Sequence, residues 1–274
     1  MVLWGQPEAT FALHSAHREV EKRAREMFSA WNVPERNPDF SWEILKEADG
    51  YRLVPPSNYA PLTPDFVLSS EVYSDLDTAL LNVEFQSVAV LSGRPDSPIY
   101  VHGALLCKEG EGLALVGPKE TGKSTLSTYL WTRGWQLLAD DGFWFQSGVL
   151  VRPVPRRVRL RPTAGELLPD VLPDKLPPHS HFQVRHDGTV LFQPVVEPEP
   201  VPLKNLILLG CEEGPLEPMD SASATLEILT QTNCYRIHGI GGGLARLTGR
   251  LAAIRCYRMG RASLAVQGER ISKL

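Results

Sequence analysis

The sequence predicts an α/β fold built on a mixed β-sheet and preceded by a small α+β module. Three observations favour this class. Short apolar runs alternate with helical patterns between residues 97 and 145, hairpin signals stand before and after that region, and a glycine-rich turn joins one apolar run to a helical pattern. Alternating strands and helices are typical of a helix-covered sheet, and hairpins add antiparallel pairs to it. The 274 residues have room for two domains, which we place at residues 1–95 and 96–274.

The N-terminal module shows a helix–hairpin–helix pattern. Residues 14–31 are densely charged and amphipathic, which predicts an exposed helix. Two extended runs, 40–45 and 51–55, flank the turn signal Ala48-Asp-Gly50 and predict a β-hairpin. Residues 75–91 have helical spacing, with Ser74 or Asp75 as the N-cap. We expect this module to take part in substrate recognition.

The second domain begins with a strand at residues 97–107 and a hairpin turn at 108–112. A helix is predicted over 123–133, where Gly134 is a typical stop, and the strand 135–139 follows it. The remaining predicted elements are a hairpin over 143–152, strands at 205–209 and 255–259, and helices at 222–234 and 243–254.

The segment Gly117-Pro-Lys-Glu-Thr-Gly-Lys-Ser124 follows an apolar run and precedes a helical pattern. It matches G-x-x-x-x-G-K-[ST], the phosphate-binding P-loop, in the strand–loop–helix context that the motif requires. In such a loop Lys123 reaches the phosphates and Ser124 offers its hydroxyl to Mg²⁺. The expected cofactors are therefore ATP and Mg²⁺. The residues expected to bind them are Gly117, Lys119, Glu120, Thr121, Gly122, Lys123, Ser124 and Thr125.

Asp140 and Asp141 end the predicted strand that follows the P-loop helix. Ligands in open α/β sheets lie outside the carboxyl ends of the strands, so both carboxylates should lie near the terminal phosphate. One can hold Mg²⁺ while the other accepts a proton from an incoming hydroxyl. The alternative is a turn-forming Asp-Asp-Gly without chemistry.

Two further features have a functional and a structural interpretation. His102 could tune the acid pair if its strand lies beside the P-loop strand, or it is an ordinary core or surface histidine. An arginine stretch either stabilises the transferred phosphoryl group or forms an exposed strand face. Its members are Arg152, Arg156, Arg157, Arg159 and Arg161.

Composition excludes several classes of protein. A net charge of −4 argues against a nucleic-acid-binding surface. The four cysteines form no C-x-x-C pair, as expected of free thiols in a reducing compartment. No run approaches the ~20 apolar residues of a membrane helix, and the N-terminus lacks the pattern of a signal peptide. We therefore expect a cytoplasmic protein that binds no membrane.

The order His102-Gly103, then Gly117 to Thr125, then Leu137-Leu-Ala-Asp-Asp141 resembles the catalytic domain of bacterial HPr kinase/phosphorylase. The resemblance covers roughly residues 97–145. It implies a P-loop protein kinase related in fold to phosphoenolpyruvate carboxykinase. It further implies that Asp140 is the proton acceptor, that Asp141 lies at the metal–phosphate site and that His102 assists the acid. Because the related kinases form oligomers, a homo-oligomer is an expectation as well.

The chain also departs from the pattern of that family. Lys119 and Glu120 stand where Ser and Gly are usual, and the negative charge of Glu120 is unfavourable beside phosphates unless Lys119 or Mg²⁺ offsets it. The family signature after the acid pair and the long N-terminal domain are missing. These differences place the chain among shorter HPr-kinase-like proteins. Some of those resemble tailoring kinases for ribosomally made peptides, such as lasso peptides, which phosphorylate a serine hydroxyl.

The leading hypothesis is an ATP- and Mg²⁺-dependent kinase that acts on a serine, or a similar hydroxyl, of a peptide or small protein. Three alternatives stay open. They are a kinase of a small metabolite, a nucleotide-binding regulatory module without transfer, which Glu120 favours, and simple ATP hydrolysis.

Overall fold

The computed structural model describes residues 1–6, 9–29, 31, 37–61, 67–94, 97–168, 183–184, 188–192 and 199–274. The chain divides into two compact units, Met1–Ser97 and Pro98–Leu274. The domain boundary expected from the sequence, after residue 95, lies two residues before this division. None of the described helices is long and apolar enough to cross a membrane.

The first unit contains a five-stranded sheet whose strand order follows the chain order. Its strands are β1 (Val2–Gln6), β2 (Ala9–His14), β3 (Phe40–Glu47), β4 (Gly50–Val54) and β5 (Val72–Tyr73), and its helices are α1 (Arg18–Met27) and α2 (Leu76–Ser92). The β2–β3 pair is parallel and the other pairs are antiparallel. Trp4, Phe11 and Trp42 are fully buried, and their rings lie within 6 Å of each other, forming an aromatic core.

The expected hairpin and second helix of this unit are confirmed. The Asp75 side chain accepts a hydrogen bond from the Thr78 backbone N–H at 2.8 Å, as an N-cap does. The first helix is shorter than expected, because His14 belongs to β2, which pairs with both β1 and β3. The helix is also only partly exposed, since Val20, Ala24 and Met27 are buried.

The described strands of the second unit form a nine-stranded sheet and a small three-stranded one. The strands are β6 (Ile99–Val101), β7 (Gly103–Lys108), β8 (Glu111–Val116), β9 (Gln136–Ala139), β10 (Phe143–Phe145), β11 (Leu150–Pro153), β12 (Val158–Leu160), β13 (Gln183–Val184), β14 (Val190–Phe192), β15 (Val201–Glu213), β16 (Leu216–Met219) and β17 (Arg255–Arg261). The helices are α3 (Lys123–Trp131), α4 (Pro162–Leu167), α5 (Ser221–Ile228), α6 (Cys234–Leu251) and α7 (Leu264–Ile271).

The large sheet is mixed, as expected. Its order is β6-β10-β11-β15-β8-β7-β9, with β17 beside β15 and β16 beside β17. Strand β15 runs parallel to β8 and β17, whereas β7 runs antiparallel to β8 and β9. One face packs against α5 and α6, and the other against α3 and α7. Because β7 is reversed, its beginning lies at the same edge as the ends of β8, β9, β15 and β17.

Several elements differ from the sequence expectation. The strand expected over 97–107 breaks at His102, because β6 pairs with β10 while β7 pairs with β8 and β9. Helix α6 begins at Cys234 rather than at residue 243 and is kinked at Gly239 (φ 68°). The hairpin of β1 and β2 and the helix α7 were not predicted.

Candidate functional site

The predicted P-loop connects the end of β8 to the start of α3 through residues 117–122. At Gly117 the backbone passes so close to β15 that a Cβ atom would lie 2.7 Å from the Leu209 carbonyl oxygen. Gly122, which precedes the helix, has a φ of 89° that favours glycine. The Thr121 hydroxyl donates to the Pro118 carbonyl oxygen at 3.0 Å. These contacts close the segment into a tight turn at the N-terminus of α3.

Lys123 is folded over this turn. It is 7% exposed, and its Nζ donates to the carbonyl oxygens of Gly117 and Pro118, both at 2.8 Å. Burial lowers the pKa of the ammonium group, while the charges of Asp140 and Asp141 raise it. An ammonium group has three N–H donors, so one N–H remains for an anion at the mouth of the turn.

Glu120 adopts an unusual backbone conformation in the same turn. Its φ of 69° lies in the left-handed region, which is strained for a residue with a Cβ. The carboxylate forms an ion pair with Arg161 at 2.8 Å, and the carbonyl oxygen accepts a hydrogen bond from Arg261 at 3.4 Å. Arg161, rather than Lys119, is thus the cation that offsets the charge of Glu120. Lys119 itself is exposed.

Asp140 lies directly after β9 and is 6% exposed. Its Oδ1 accepts a hydrogen bond from the Ser127 hydroxyl at 3.2 Å, which ties it to α3. Burial, with the neighbouring charge of Asp141, raises the pKa of Asp140 to about 6, although hydrogen bonds from Ser124 and Ser127 oppose the shift. This carboxyl therefore changes its protonation close to physiological pH.

Asp141 lies in the opposite electrostatic environment. Its side chain is 36% exposed and forms an ion pair with Arg156, and its Oδ1 lies 3.5 Å from Nδ1 of His102. Desolvation alone would raise the pKa of Asp141, but Arg156, His102 and Lys123 together hold it below its usual value. Asp141 is therefore ionised at neutral pH.

His102 occupies the break between β6 and β7. Its Nδ1 donates to the Asp141 carbonyl oxygen at 2.9 Å, and because a carbonyl only accepts, the proton of the neutral ring is on Nδ1. Burial lowers the pKa of His102, although Asp141 opposes that shift, so the ring is neutral at pH 7 with Nε2 as an acceptor. The His102 backbone N–H donates to the Gln231 carbonyl oxygen at 2.7 Å.

The arginine stretch is not a single exposed strand face. Arg152 is buried and lies over the Trp144 ring, 5.3 Å from its centre. Arg157 is buried as well, and Arg159 is exposed. Arg156 and Arg161 extend to Asp141 and Glu120. Two members of the stretch thus lie at the candidate site.

The structure brings the expected residues from three separate segments to one edge of the sheet: His102, then 117–125, then the acid pair. Ser124 and Thr125 lie half-buried in the first turn of α3. Across the described residues, no group of three or more His, Cys, Asp or Glu side chains is arranged to hold a metal ion. A magnesium ion here would depend on phosphate and water oxygens as well as on protein ligands.

The sequence reasoning missed Ser127 as a partner of Asp140, and it did not single out Arg156 and Arg161. Ser127 carried a usable signal, since it lies three residues after Ser124 and shares one face of α3 with it.

No model of a known protein family matches the chain, and no curated protein matches its sequence. Among solved structures, the Hpr(Ser) kinase/phosphatase from Coxiella burnetii is similar over 64% of this chain and 94% of its own. The sequence identity is 13% and the TM-score is 0.33. This likeness is too slight to support a conclusion about fold or activity.

Proposed function

We propose that the chain is an ATP- and Mg²⁺-dependent kinase that phosphorylates a serine, or a similar hydroxyl, of a peptide or small protein. One observation carries the proposal. Lys123, the Asp140–Asp141 pair and His102 come from three separate segments, and they meet at the sheet edge where the predicted P-loop opens. Phosphoryl transfer depends on positioning and on electrostatic stabilisation, and these groups supply both.

The turn at 117–124 is the proposed site for the phosphates of ATP. The N-terminus of α3 and the remaining N–H of Lys123 would interact with phosphate oxygens. Ser124 and Asp141 are the proposed protein ligands of Mg²⁺, which would neutralise part of the phosphate charge. Asp141 suits this role because its lowered pKa keeps it ionised.

Asp140 is the proposed general base. The acceptor oxygen would form a bond to the γ-phosphorus while the bond to the β–γ bridging oxygen breaks, and the hydroxyl proton would pass to Asp140. A pKa of about 6 makes Asp140 mostly ionised at pH 7 and basic enough to accept that proton. The His102 ring holds Asp141, the neighbour of Asp140, by a hydrogen bond to the Asp141 carbonyl oxygen. Arg156 and Lys123 would stabilise the negative charge that develops on the transferred phosphoryl group.

Substitution of Asp140 by Asn tests this assignment. We expect Asp140→Asn to bind MgATP with a Kd within about threefold of the wild type and to lose transfer by roughly 10²–10⁴-fold, the usual contribution of a general base. In the wild type, kcat should fall as the pH drops below about 6, because Asp140 becomes protonated. Calorimetry and mass analysis of phosphorylated products would measure both quantities.

Lys123→Ala is the comparison, because it should weaken ATP binding as well as transfer, whereas Asp140→Asn should impair transfer alone. Full transfer activity in Asp140→Asn would falsify the base assignment. If ATP binds but is not consumed in the presence of any peptide or metabolite, the result would favour the non-catalytic regulatory module instead.

A further inference from the structure

A small cavity of about 180 Å³ lies beside the predicted P-loop. It is lined by Gly117 and Pro118, by residues 208–210 of β15, and by Thr230 and Gln231. The Gly117 carbonyl oxygen accepts a hydrogen bond from Nζ of Lys123, and the Gln231 carbonyl oxygen accepts one from the His102 backbone N–H. Two residues that line the cavity, Gly117 and Gln231, therefore also bind Lys123 and His102.

Strand β15 extends beyond the end of the neighbouring strand β8, on the border of the cavity. Its pairing with β8 ends at Leu208 and Val116, while β15 continues to Glu213 and pairs with β17 on its other side. On the β8 side, residues 210–213 have no partner strand among those that the structure describes. We call these four residues the β15 overhang. An unpaired strand edge offers N–H and C=O groups to another extended chain.

Gly210 borders the cavity at the point where the pairing of β15 with β17 becomes irregular, between Leu209 and Glu213. A Cβ atom placed there would meet no atom nearer than the Met259 carbonyl oxygen at 3.8 Å, so the fold itself does not require a glycine. A glycine inside a strand marks a bulge or a place that another backbone approaches closely, and the open space at Gly210 leaves room for such an approach.

The size and polarity of the cavity indicate what it holds. Sites that enclose a small molecule usually measure about 300–1,000 Å³, so this one accommodates only part of a ligand. The exposed Glu227–Arg258 ion pair and the hydroxyl of Thr230 border it, which suits a polar ligand. A longer molecule with one segment in the cavity matches these properties better than a metabolite does.

We propose that the β15 overhang binds the acceptor as an extended peptide, with one of its residues in the cavity beside the P-loop. The peptide main chain pairs with residues 210–213 and so brings a neighbouring hydroxyl towards the acid pair. The inference rests on the proposed kinase function and narrows its acceptor from a hydroxyl of any peptide or small protein to one in an extended peptide segment.

Gly210→Leu tests the proposal, because a Cβ atom has room at this position and the longer side chain would compete with the peptide for the space beside the overhang. The full chain would be assayed with MgATP and an arrayed library of ten-residue serine peptides. For the best peptide we expect the KM to rise at least tenfold, with the KM for ATP changed less than twofold. Gly249→Leu is the control, since Gly249 is exposed on α6 with no atom near its Cβ position, and it should change neither value.

A scan with N-methylated peptides tests the main-chain pairing itself. Successive residues of a strand point their main-chain groups to opposite sides, so N-methylation at alternate positions should abolish phosphorylation and the intervening positions should tolerate it. Equal tolerance at every position, or an unchanged peptide KM in Gly210→Leu, would overturn the inference. Phosphorylation of free metabolites but of no peptide would overturn the inference and the peptide acceptor of the proposed function, although kinase activity itself would stand. A failure to bind ATP would end both proposals.

Discussion

Two adjacent carboxyl groups at the candidate site have pKa values that shift in opposite directions. Asp140 is buried and bonded to hydroxyl groups, and its pKa rises to about 6, whereas Asp141 faces Arg156 and its pKa falls. A pair of acids separated in this way is a recurrent arrangement for dividing proton transfer from charge stabilisation. The same separation has a consequence for stability.

Asp140 should destabilise the folded protein at neutral pH. Its pKa is about 6 when folded and 3.8 ordinarily, so between these values the folded state binds more protons and stability falls as the pH rises. At about 1.4 kcal/mol per pKa unit, the ionised carboxylate costs on the order of 3 kcal/mol. We expect Asp140→Asn to unfold at higher urea concentration than the wild type at pH 8, with the difference shrinking towards pH 4.

Asp141→Asn provides the comparison of opposite sign. The lowered pKa of Asp141 means that its charge stabilises the fold above pH 4, so its loss should destabilise the protein at pH 8 and matter little in acid. If both variants shifted the urea midpoint in the same direction at pH 8, the opposed environments described for the two acids would be wrong.

Single residues were predictable where a motif fixes them. The loop pattern singled out Lys123, the strand end after the following helix singled out the acid pair, and the strand before the loop, with the family resemblance, singled out His102. Ion pairs between distant segments were not predictable. Glu120 and Arg161 are 41 residues apart, and the sequence does not distinguish which of the five arginines in the stretch pairs with Glu120. The pKa shift of Asp140 comes from burial, which only the folded chain reveals.

At the scale of elements, the 117–122 turn carries a strained residue. Glu120 has a left-handed backbone, which costs about 1–2 kcal/mol for a residue with a Cβ, and it places a carboxylate at the mouth of the turn. The ion pair with Arg161 is largely exposed, so it contributes little stability. The carboxylate is therefore expected to matter for anion binding more than for folding.

Glu120→Gly should bind ATP roughly three- to tenfold more tightly than the wild type. The substitution removes a negative charge from the proposed phosphate site, an effect of about 1 kcal/mol at short range in water, and it releases Arg161 from its partner. Glu109→Gly is the matched control, because Glu109 also has a positive φ (54°) but lies in the β7–β8 turn at the opposite edge of the sheet. Titration calorimetry at low and high salt would measure both variants, and equal gains in the two would contradict the electrostatic explanation.

Local patterns predicted the elements whose signals are local. The β3–β4 hairpin, the capped helix α2 and the strand–turn–helix around the P-loop have turn or cap residues at fixed offsets. The break at His102 was not predictable, because the periodicity of residues 97–107 is continuous and only pairing with different neighbours divides it. Strands β1 and β2 are stabilised by tertiary packing of Trp4 and Phe11, and α7 by packing of its one buried apolar residue, Ile271, against the sheet.

At the scale of the whole molecule, every residue of the candidate site belongs to the second unit. The large sheet of that unit has a core on each face, with α5 and α6 on one side and α3 and α7 on the other. A sheet covered on both faces is the arrangement in which parallel strands are usually stable. The first unit has its own aromatic core.

We expect a chain shortened to residues 98–274 to fold and to bind MgATP with a Kd within about threefold of the full chain. Saturation at 100 times the Kd should add about 2.7 kcal/mol of stability, which a thermal shift assay would detect. If the shortened chain folds but no longer responds to ATP, the first unit contributes to the nucleotide site. Loss of peptide phosphorylation alone would agree with the expectation that residues 1–95 recognise the substrate.

The antiparallel direction of β7 restricts where the chain segment between His102 and Gly117 can accept additional residues. Between His102 and Gly117 the chain crosses the sheet and returns, through two strands of six residues each and a tight bend at 109–110. One residue inserted into either strand would move its buried side chains from the core on one face of the sheet to the core on the other face. The bend is the place where additional residues are tolerated. A peptide tag inserted at 109–110 should therefore leave His102 and Gly117, at the two ends of the β7–β8 hairpin, in position.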